Sequence, residues 1–117
     1  MYEYKAIVTN VVDADTLDIV IDLGFKTSIK TRIRIARINA YETRLGSKTN
    51  QAQKELGLKG KEFVKDLIEG KEVKITTEKT GKYGRYIAEI TYEAHTDKIV
   101  NLGTELVRLG YAVYKDY

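Results

Sequence analysis

Four short stretches of the chain carry side chains suited to chemistry at a phosphodiester. They are residues 13–16 (Asp-Ala-Asp-Thr), 34–42, 82–85 (Lys-Tyr-Gly-Arg) and 101–112. Carboxylates in the first two stretches can hold a hard cation such as calcium, which takes oxygen ligands. Arginines in the second and third can clamp phosphate oxygens, because a guanidinium presents a planar fork of donors. These are the residue types that a metal-assisted phosphodiesterase requires.

Each stretch also has a simpler interpretation when it is taken alone. An Asp-rich turn is commonly only a turn, because aspartate bonds to its own local backbone. Arg34 shares a polar strand face with Arg32, and either can pair with Asp18 or Asp22 across a sheet as part of a solvated surface. Arg85, after a glycine at the start of a strand, is weak evidence by itself. The combination of stretches is therefore what carries the functional hypothesis.

Composition predicts one folded domain over residues 1–117. Of the 117 residues, 43% are hydrophobic and 32% are charged, and no apolar run is long enough to cross a bilayer. The net charge of +3 mildly favours a polyanionic partner. Because the chain has no cysteine and one histidine, a thiolate zinc site and a histidine pair are both excluded.

The N-terminal residues predict the location of the protein. They show no basic segment followed by an apolar stretch, and residues 4–12 already have the pattern of a strand. We expect a cytoplasmic protein if the sequence is the natural chain, and a secreted one if it has been trimmed.

Hydrophobic periodicity predicts β-structure in the first half of the chain. Apolar residues occupy alternate positions at Leu17, Ile19, Ile21 and Leu23, and again at Ile29, Ile33 and Ile35. With a turn at residues 23–26, this pattern predicts a three-stranded meander over residues 4–35. The alternation stops at Arg37 and Ile38, where we expect a bulge or bend that redirects residues 39–42.

The period becomes helical after Asn50, which is a candidate N-cap. The apolar positions are Ala52, Leu56, Phe63, Val64, Leu67 and Ile68. Gly70 should end the helix, while Gly57 and Gly60 weaken it by about 1 kcal/mol each relative to alanine.

Two more strands and a second helix are predicted in the remainder of the chain. The strands cover residues 72–77 and 85–92, and the helix covers about residues 102–109, ending at Gly110. Five strands with a helix between the third and the fourth is the order of an OB-fold, a small closed antiparallel barrel. The expected class is therefore mainly β with α (α+β).

The four stretches together resemble the staphylococcal nuclease (thermonuclease) family. In order they read Asp-x-Asp-Thr, Arg-x-x-x-Ile-Asn-Ala-x-Glu-Thr, Lys-Tyr-Gly-Arg and Leu-Val-Arg-x-Gly-x-Ala, and the resemblance runs over residues 7–112. It implies an OB barrel with helices and a calcium-dependent, sugar-nonspecific nuclease that hydrolyses DNA and RNA and leaves 3′-phosphates. From it we expect one Ca²⁺ ion, a DNA or RNA substrate, no membrane association and a monomer.

The resemblance also assigns roles to residues. Asp15 matches the first metal aspartate and Asp13 the neighbouring acidic position. Arg34 and Arg85 match the two catalytic arginines, and Glu42 matches the glutamate that activates or orients the attacking water.

Three further positions complete the predicted site. Asn39 falls at the second metal position, and Lys82 and Tyr83 are expected to bind substrate, with Tyr83 beside the nucleotide.

The sequence departs from the family pattern at several points. Asn39 replaces an aspartate, so a formal charge is lost and metal binding should weaken. Ala14 replaces a glycine, which would alter the turn if a positive φ were needed there. Tyr41 replaces a proline, and the sequence stops at Tyr117, where many relatives continue into a third helix. We therefore expect only two helices.

Two alternatives to a nuclease stay open at this point. One is a catalytically decayed OB-fold module that binds nucleic acid or a protein partner, with Asn39 marking a lost metal site. The other is a structural domain in which Asp15, Arg34 and Arg85 form a buried ion network without chemistry.

Overall fold

β-Strands account for more than half of the residues that the structure describes, and two helices interrupt them. The computed structural model describes residues 2–41, 51–80, 86–94 and 98–115. In chain order, the elements are β1 (Tyr2–Asp13), β2 (Thr16–Asp22), β3 (Ser28–Ile35), β4 (Ile38–Ala40), α1 (Gln51–Ile68), β5 (Glu72–Thr80), β6 (Tyr86–Glu93), β7 (Ile99–Asn101), α2 (Leu102–Arg108) and β8 (Ala112–Tyr114).

The five longer strands close into a barrel. Their order is β3-β2-β1-β5-β6, and a parallel pairing of β3 with β6 completes the ring. The remaining neighbours in the ring are antiparallel. The prediction of an OB-fold, α+β class, with five barrel strands and two helices, is confirmed.

Three short strands were not predicted. β7 pairs with β6 at the edge of the sheet, while β4 and β8 form a separate two-stranded sheet. Each is three residues long. That length is too short to show a two-residue period, so the sequence pattern carries no signal for them.

The alternating residues of the meander fill the barrel. Leu17 pairs in register with Ile33, and both are buried, whereas the next pair, Thr16 and Arg34, projects from the opposite face. The largest fully buried side chains are Leu17, Ile19, Ile33, Ile35, Ile38, Ile68, Ile75, Ile90, Leu102, Leu106, Val8 and Val64. The strand alternation thus determines which side chains point away from the barrel interior at the end of β3.

The predicted bend after β3 is present. Arg37 has a positive φ of 64°, and the N–H of Ala36 donates to the carbonyl of Ala88 at 2.9 Å. The backbone then re-enters regular pairing as β4, where Asn39 lies opposite Val113 of β8. The bend therefore turns Asn39 back toward the barrel.

Helix α1 packs closely at one of the two glycines that weaken it. A Cβ atom on Gly60 would lie 3.1 Å from Cβ of Tyr111 and 3.4 Å from Cβ of Ala14. Val64 and Ile68 on the same helix are fully buried, as the periodicity predicts, and Gly70 follows the helix with a φ of +79°. Asn50, the expected N-cap, lies outside the described residues.

Helix α2 begins at the predicted residue and ends at Arg108, one residue before the predicted end. The side chain of Asn101 accepts a hydrogen bond from the N–H of Thr104 at 3.1 Å, which caps the helix. Gly110 has a φ of +84°, and the N–H of Tyr111 returns to the carbonyl of Leu106. Neither helix in the described part of the chain has the length and apolar character to span a membrane.

Candidate metal and phosphate site

Asp15 lies in the turn between β1 and β2, and this turn is next to the end of β3 in the folded structure. Its backbone carbonyl accepts a hydrogen bond from the N–H of Ile35 at 2.8 Å. The flanking residues Asp13 and Thr16 pair with each other, and Thr16 pairs with Arg34 on the next strand. Strand register therefore brings the Asp-rich turn beside Arg34.

The Asp15 carboxylate is buried and hydrogen-bonded on both oxygens. Oδ2 accepts from the backbone N–H of Ala40 at 2.9 Å, and Oδ1 accepts from the hydroxyl of Thr16 at 3.0 Å. Only 5% of the residue is exposed. A buried carboxylate requires such partners, and here they join the β1–β2 turn to β4.

One nitrogen of Arg34 contacts two predicted metal ligands. Nη2 lies 3.2 Å from Asp15 Oδ2 and donates to Asn39 Oδ1 at 2.7 Å. The side chain of Arg34 is 17% exposed and that of Asp15 is 7% exposed. Because both charges are largely removed from water, their attraction is stronger than that of a surface pair.

Arg32 shares the outer face of β3 with Arg34 but has a different environment. Its Nε donates to Asp18 Oδ1 at 2.8 Å, and its side chain is 57% exposed. This hydrogen bond raises the pKa of Arg32 and lowers that of Asp18. Arg32 therefore forms the solvated cross-strand pair that the Sequence analysis gave as the simpler interpretation of this strand face.

Asp13 is the second acidic residue of the turn. It ends β1 and is half-buried. The pKa of Arg32 is raised mainly by its hydrogen bond with Asp18 and by the charge of Asp18, and the negative charge of Asp13 raises it slightly more. Its expected place beside the metal stays a prediction.

The residues present fit a hard divalent cation in their chemistry. Asp15 and Asn39 supply oxygen atoms that both contact one Arg34 nitrogen, and calcium prefers oxygen ligands. They carry one negative charge between them, and the arginine contacts the same two oxygens. No group of three or more His, Cys, Asp or Glu side chains that could hold a metal occurs in residues 2–41, 51–80, 86–94 and 98–115. A bound cation would need additional oxygen ligands from the rest of the chain or from water.

Four predicted site residues lie outside the described residues: Glu42, Lys82, Tyr83 and Arg85. Their roles stay predictions. The described strand β6 begins at Tyr86, whose register partner on β3 is Ile33, the residue before Arg34.

Two features of the site were not predicted, and Ala14, which departs from the family pattern, does not need the positive φ that would favour a glycine. The backbone N–H of Ala40 donates a hydrogen bond to Asp15. The position of Ala40 after the bend is the one feature of the sequence that could have indicated this contact. Gly60 sets how closely α1 approaches the turn at Ala14. That alanine is buried and is not among the described residues with positive φ, which are Phe25, Lys26 and Arg37 besides glycines.

The closed barrel and its partly buried Asp-Arg-Asn cluster define an OB-fold domain with a polar site at the end of β3. A profile of the staphylococcal nuclease homologue family matches residues 32–117, which is most of the chain. The chain therefore belongs to this family, whose members are in general nuclease hydrolases. No curated protein matches the chain.

The family match begins at Arg32, after the stretch that contains Asp13 and Asp15. Those two residues are connected to the matched region by structure. The contact of Asp15 with Arg34 and its hydrogen bond from Ala40 both reach into residues 32–117.

Proposed function

We propose that the protein is a calcium-dependent, sugar-nonspecific nuclease that hydrolyses phosphodiester bonds of DNA and RNA. The observation that carries this proposal is the contact of Arg34 Nη2 with both Asp15 and Asn39. One guanidinium nitrogen there contacts a carboxylate oxygen and an amide oxygen, which supports a phosphate-binding role for Arg34 and a metal-binding role for the two oxygens. Membership of a family of nuclease hydrolases supports the same conclusion.

Asp15 and Asn39 hold the ion in this proposal, with Asp13 beside them. When bound, calcium supplies Lewis-acid polarisation of a phosphate oxygen and stabilises the charge that develops there. Asn39 is a neutral ligand, so we expect weaker calcium binding than two carboxylates would give.

The remaining residues carry the hydrolytic step. Glu42 accepts a proton from water as the water oxygen bonds to phosphorus. The bond from phosphorus to the 5′ oxygen breaks, and that oxygen takes up a proton, so the product keeps a 3′-phosphate. Arg34 and Arg85 donate to the phosphate oxygens as negative charge accumulates.

Lys82 and Tyr83 bind the substrate beside the scissile bond. A lysine contributes a positive charge to the backbone phosphates. A tyrosine offers an aromatic face to a base, and such contacts tolerate any sequence.

The cluster also supports a second candidate, a non-catalytic OB-fold module that binds nucleic acid. Arg34 already supplies a positive charge to Asp15, and Asn39 is neutral, so the charges of the described cluster balance without a cation. Such a module would bind nucleic acid in a metal-independent, salt-sensitive manner and release no product.

A cleavage assay separates the two candidates. Supercoiled plasmid and a single-stranded oligonucleotide are incubated with the protein in calcium and in EDTA. The nuclease proposal expects cleavage in calcium only, with most of the rate lost in Glu42→Gln and in Arg85→Ala. The control Arg32→Gln removes an exposed arginine from the same face of β3. Binding without cleavage at high protein concentration would favour the non-catalytic module.

A further inference from the structure

The tip of the β2–β3 hairpin presents an exposed aromatic ring. Phe25 is fully exposed at 103% of its reference area. An apolar side chain of this size gains nothing from the core in that position. The ring is therefore available to an external partner.

The backbone at the tip is unfavourable for the residue that occupies it. The N–H of Thr27 donates to the carbonyl of Gly24 at 2.8 Å, and the two central residues, Phe25 and Lys26, have φ values of 52° and 62°. These are the signs of a type I′ turn, for which Asn-Gly is the preferred pair. A bulky residue with positive φ is strained. The turn thus holds the ring outward at a conformational cost.

The charges around the ring favour a polyanion. Lys26 and Lys30 have no ion-pair partner among the described residues. Of the acidic residues of the hairpin, Asp18 is neutralised by its pair with Arg32, and Asp22, which accepts from the N–H of Gly24 at 2.8 Å, is the single negative charge set against the two lysines. The net charge still offered by this surface is positive.

The hairpin also connects to the proposed site. Lys30 and Arg34 lie on the same face of β3, because the side chains of a strand alternate. From Ser28 to Arg34 the strand runs about 20 Å at ~3.3 Å per residue. OB-folds bind about 4–16 nucleotides of single strand, so one strand of nucleic acid can extend from Arg34 to the hairpin tip.

We propose that Phe25 stacks on an unpaired base of single-stranded nucleic acid whose phosphates follow Lys30 toward Arg34. This subsite deepens the proposed function and rests on it for the location of the scissile phosphate. It makes single-stranded or locally unpaired segments the preferred substrate, because a base inside a duplex has no free face for the ring.

Binding is measured in EDTA by fluorescence anisotropy, so that cleavage does not interfere. The ligands are a labelled 12-nucleotide single strand and the corresponding 12-base-pair duplex. Phe25→Asn should weaken single-strand binding by about 5- to 150-fold, the range for loss of one base-aromatic stack. It should leave duplex binding unchanged. Because asparagine accepts positive φ, the same variant should melt at a higher temperature, so the loss of affinity is not due to unfolding.

Control variants are placed on helix α1. Leu58 is an exposed apolar residue there, so Leu58→Gln should keep the wild-type affinity.

The salt dependence of binding tests the role of Lys30. Lys30→Gln should reduce the slope of log K against log salt by about 0.7, the value for one phosphate contact on a single strand. Lys59→Gln should not change that slope.

The absence of tryptophan allows a direct probe of stacking. Phe25→Trp should bind the single strand as tightly as wild type, and its indole fluorescence should be quenched on binding, whereas Leu58→Trp should show no quenching. Equal single-strand affinities of wild type and Phe25→Asn would overturn the subsite, as would an unchanged salt slope in Lys30→Gln. A blue shift of the Phe25→Trp emission with phosphatidylcholine vesicles, without quenching by the oligonucleotide, would also overturn it and indicate a membrane contact instead.

The outcomes separate this subsite from the proposed catalysis. If wild type cuts nucleic acid in calcium but Phe25→Asn binds normally in EDTA, the subsite is wrong and the nuclease proposal stands. If wild type never cuts but Phe25→Asn loses affinity, the subsite stands and the nuclease proposal is wrong.

Discussion

Arg34 Nη2 lies 3.2 Å from Asp15 Oδ2, because the antiparallel pairing of β2 with β3 sets the end of β3 beside the turn before β2. The same nitrogen donates to Asn39 Oδ1 at 2.7 Å. The guanidinium therefore occupies the position next to both oxygens that a divalent cation would also contact. Calcium and Arg34 are expected to compete for Asp15, and the arginine becomes available to phosphate when the carboxylate binds a cation.

The first prediction concerns calcium affinity. Asn39→Asp adds a carboxylate at the second ligand position, and calcium affinity rises with ligand charge. Isothermal titration with calcium should show tighter binding than wild type, and cleavage at limiting calcium should be faster. Gln51→Glu, at an exposed position at the start of α1, is the charge-matched control. No change in either quantity for Asn39→Asp would count against a functional metal site.

The second prediction distinguishes the two arginines of β3. Arg34→Gln should lower kcat by about 10²–10³-fold, the effect of removing one transition-state donor. Arg32→Gln should retain most of the rate, because Arg32 is exposed and its partner is Asp18. Single-turnover cleavage in saturating calcium measures both. Comparable losses in the two variants would contradict the assignment of Arg34.

The third prediction concerns folding stability. Asp15→Ala removes the acceptor of the Ala40 N–H and an ion-pair partner of the largely buried Arg34. Breaking a buried pair in this way costs about 3–5 kcal/mol. Urea denaturation should show a decrease near the lower end of that range, because Arg34 retains some exposure. Asp18→Ala, which breaks the exposed pair with Arg32, should have a much smaller effect. Equal losses in both variants would mean that Asp15 has no special structural role.

The fourth prediction concerns the contact of α1 with the turn. Gly60→Ala gains about 1 kcal/mol of helix propensity, but the new methyl would lie 3.1 Å from Cβ of Tyr111. Overpacking costs about 1–3 kcal/mol, so the free energy of unfolding should fall by up to about 2 kcal/mol. Lys59→Ala, on the exposed side of α1, should be close to neutral in the same denaturation experiment. A clear stabilisation by Gly60→Ala would show that the close approach is not required.

The fifth prediction concerns pH. The hydrogen bond from Arg32 lowers the pKa of Asp18 in the folded protein. The unfolded value for aspartate is about 3.9, so this pair stabilises the fold above that pH and the stabilisation is lost as the pH falls below it. Asp18→Asn should therefore flatten the acid side of the stability curve. Thermal melts from pH 3 to pH 6 measure the effect, and parallel curves for wild type and variant would contradict it.

The local pattern of residues predicts a large part of the fold. Alternation in β2 and β3 and the helical period of α1 arise because each strand or helix must bury one face, and this constraint acts on neighbouring residues. The bend at Arg37 was predicted in the same way, as a break in the alternation. The short strands β4, β7 and β8 were not, because their pairing depends on partners distant in the chain.

By itself, the sequence determined the five barrel strands, the two helices, the family resemblance and the set of polar residues from which the site is built. The family resemblance assigned the catalytic role to Arg34, but the periodicity alone could not distinguish Arg34 from Arg32, because both lie on the same strand face with the same local pattern. Only the tertiary structure decided that Arg34 is the buried partner of Asp15 and that Ala40 contributes a backbone N–H. The physical reason is that burial and ion pairing here depend on barrel closure and on the bend, which bring together groups that no local periodicity relates.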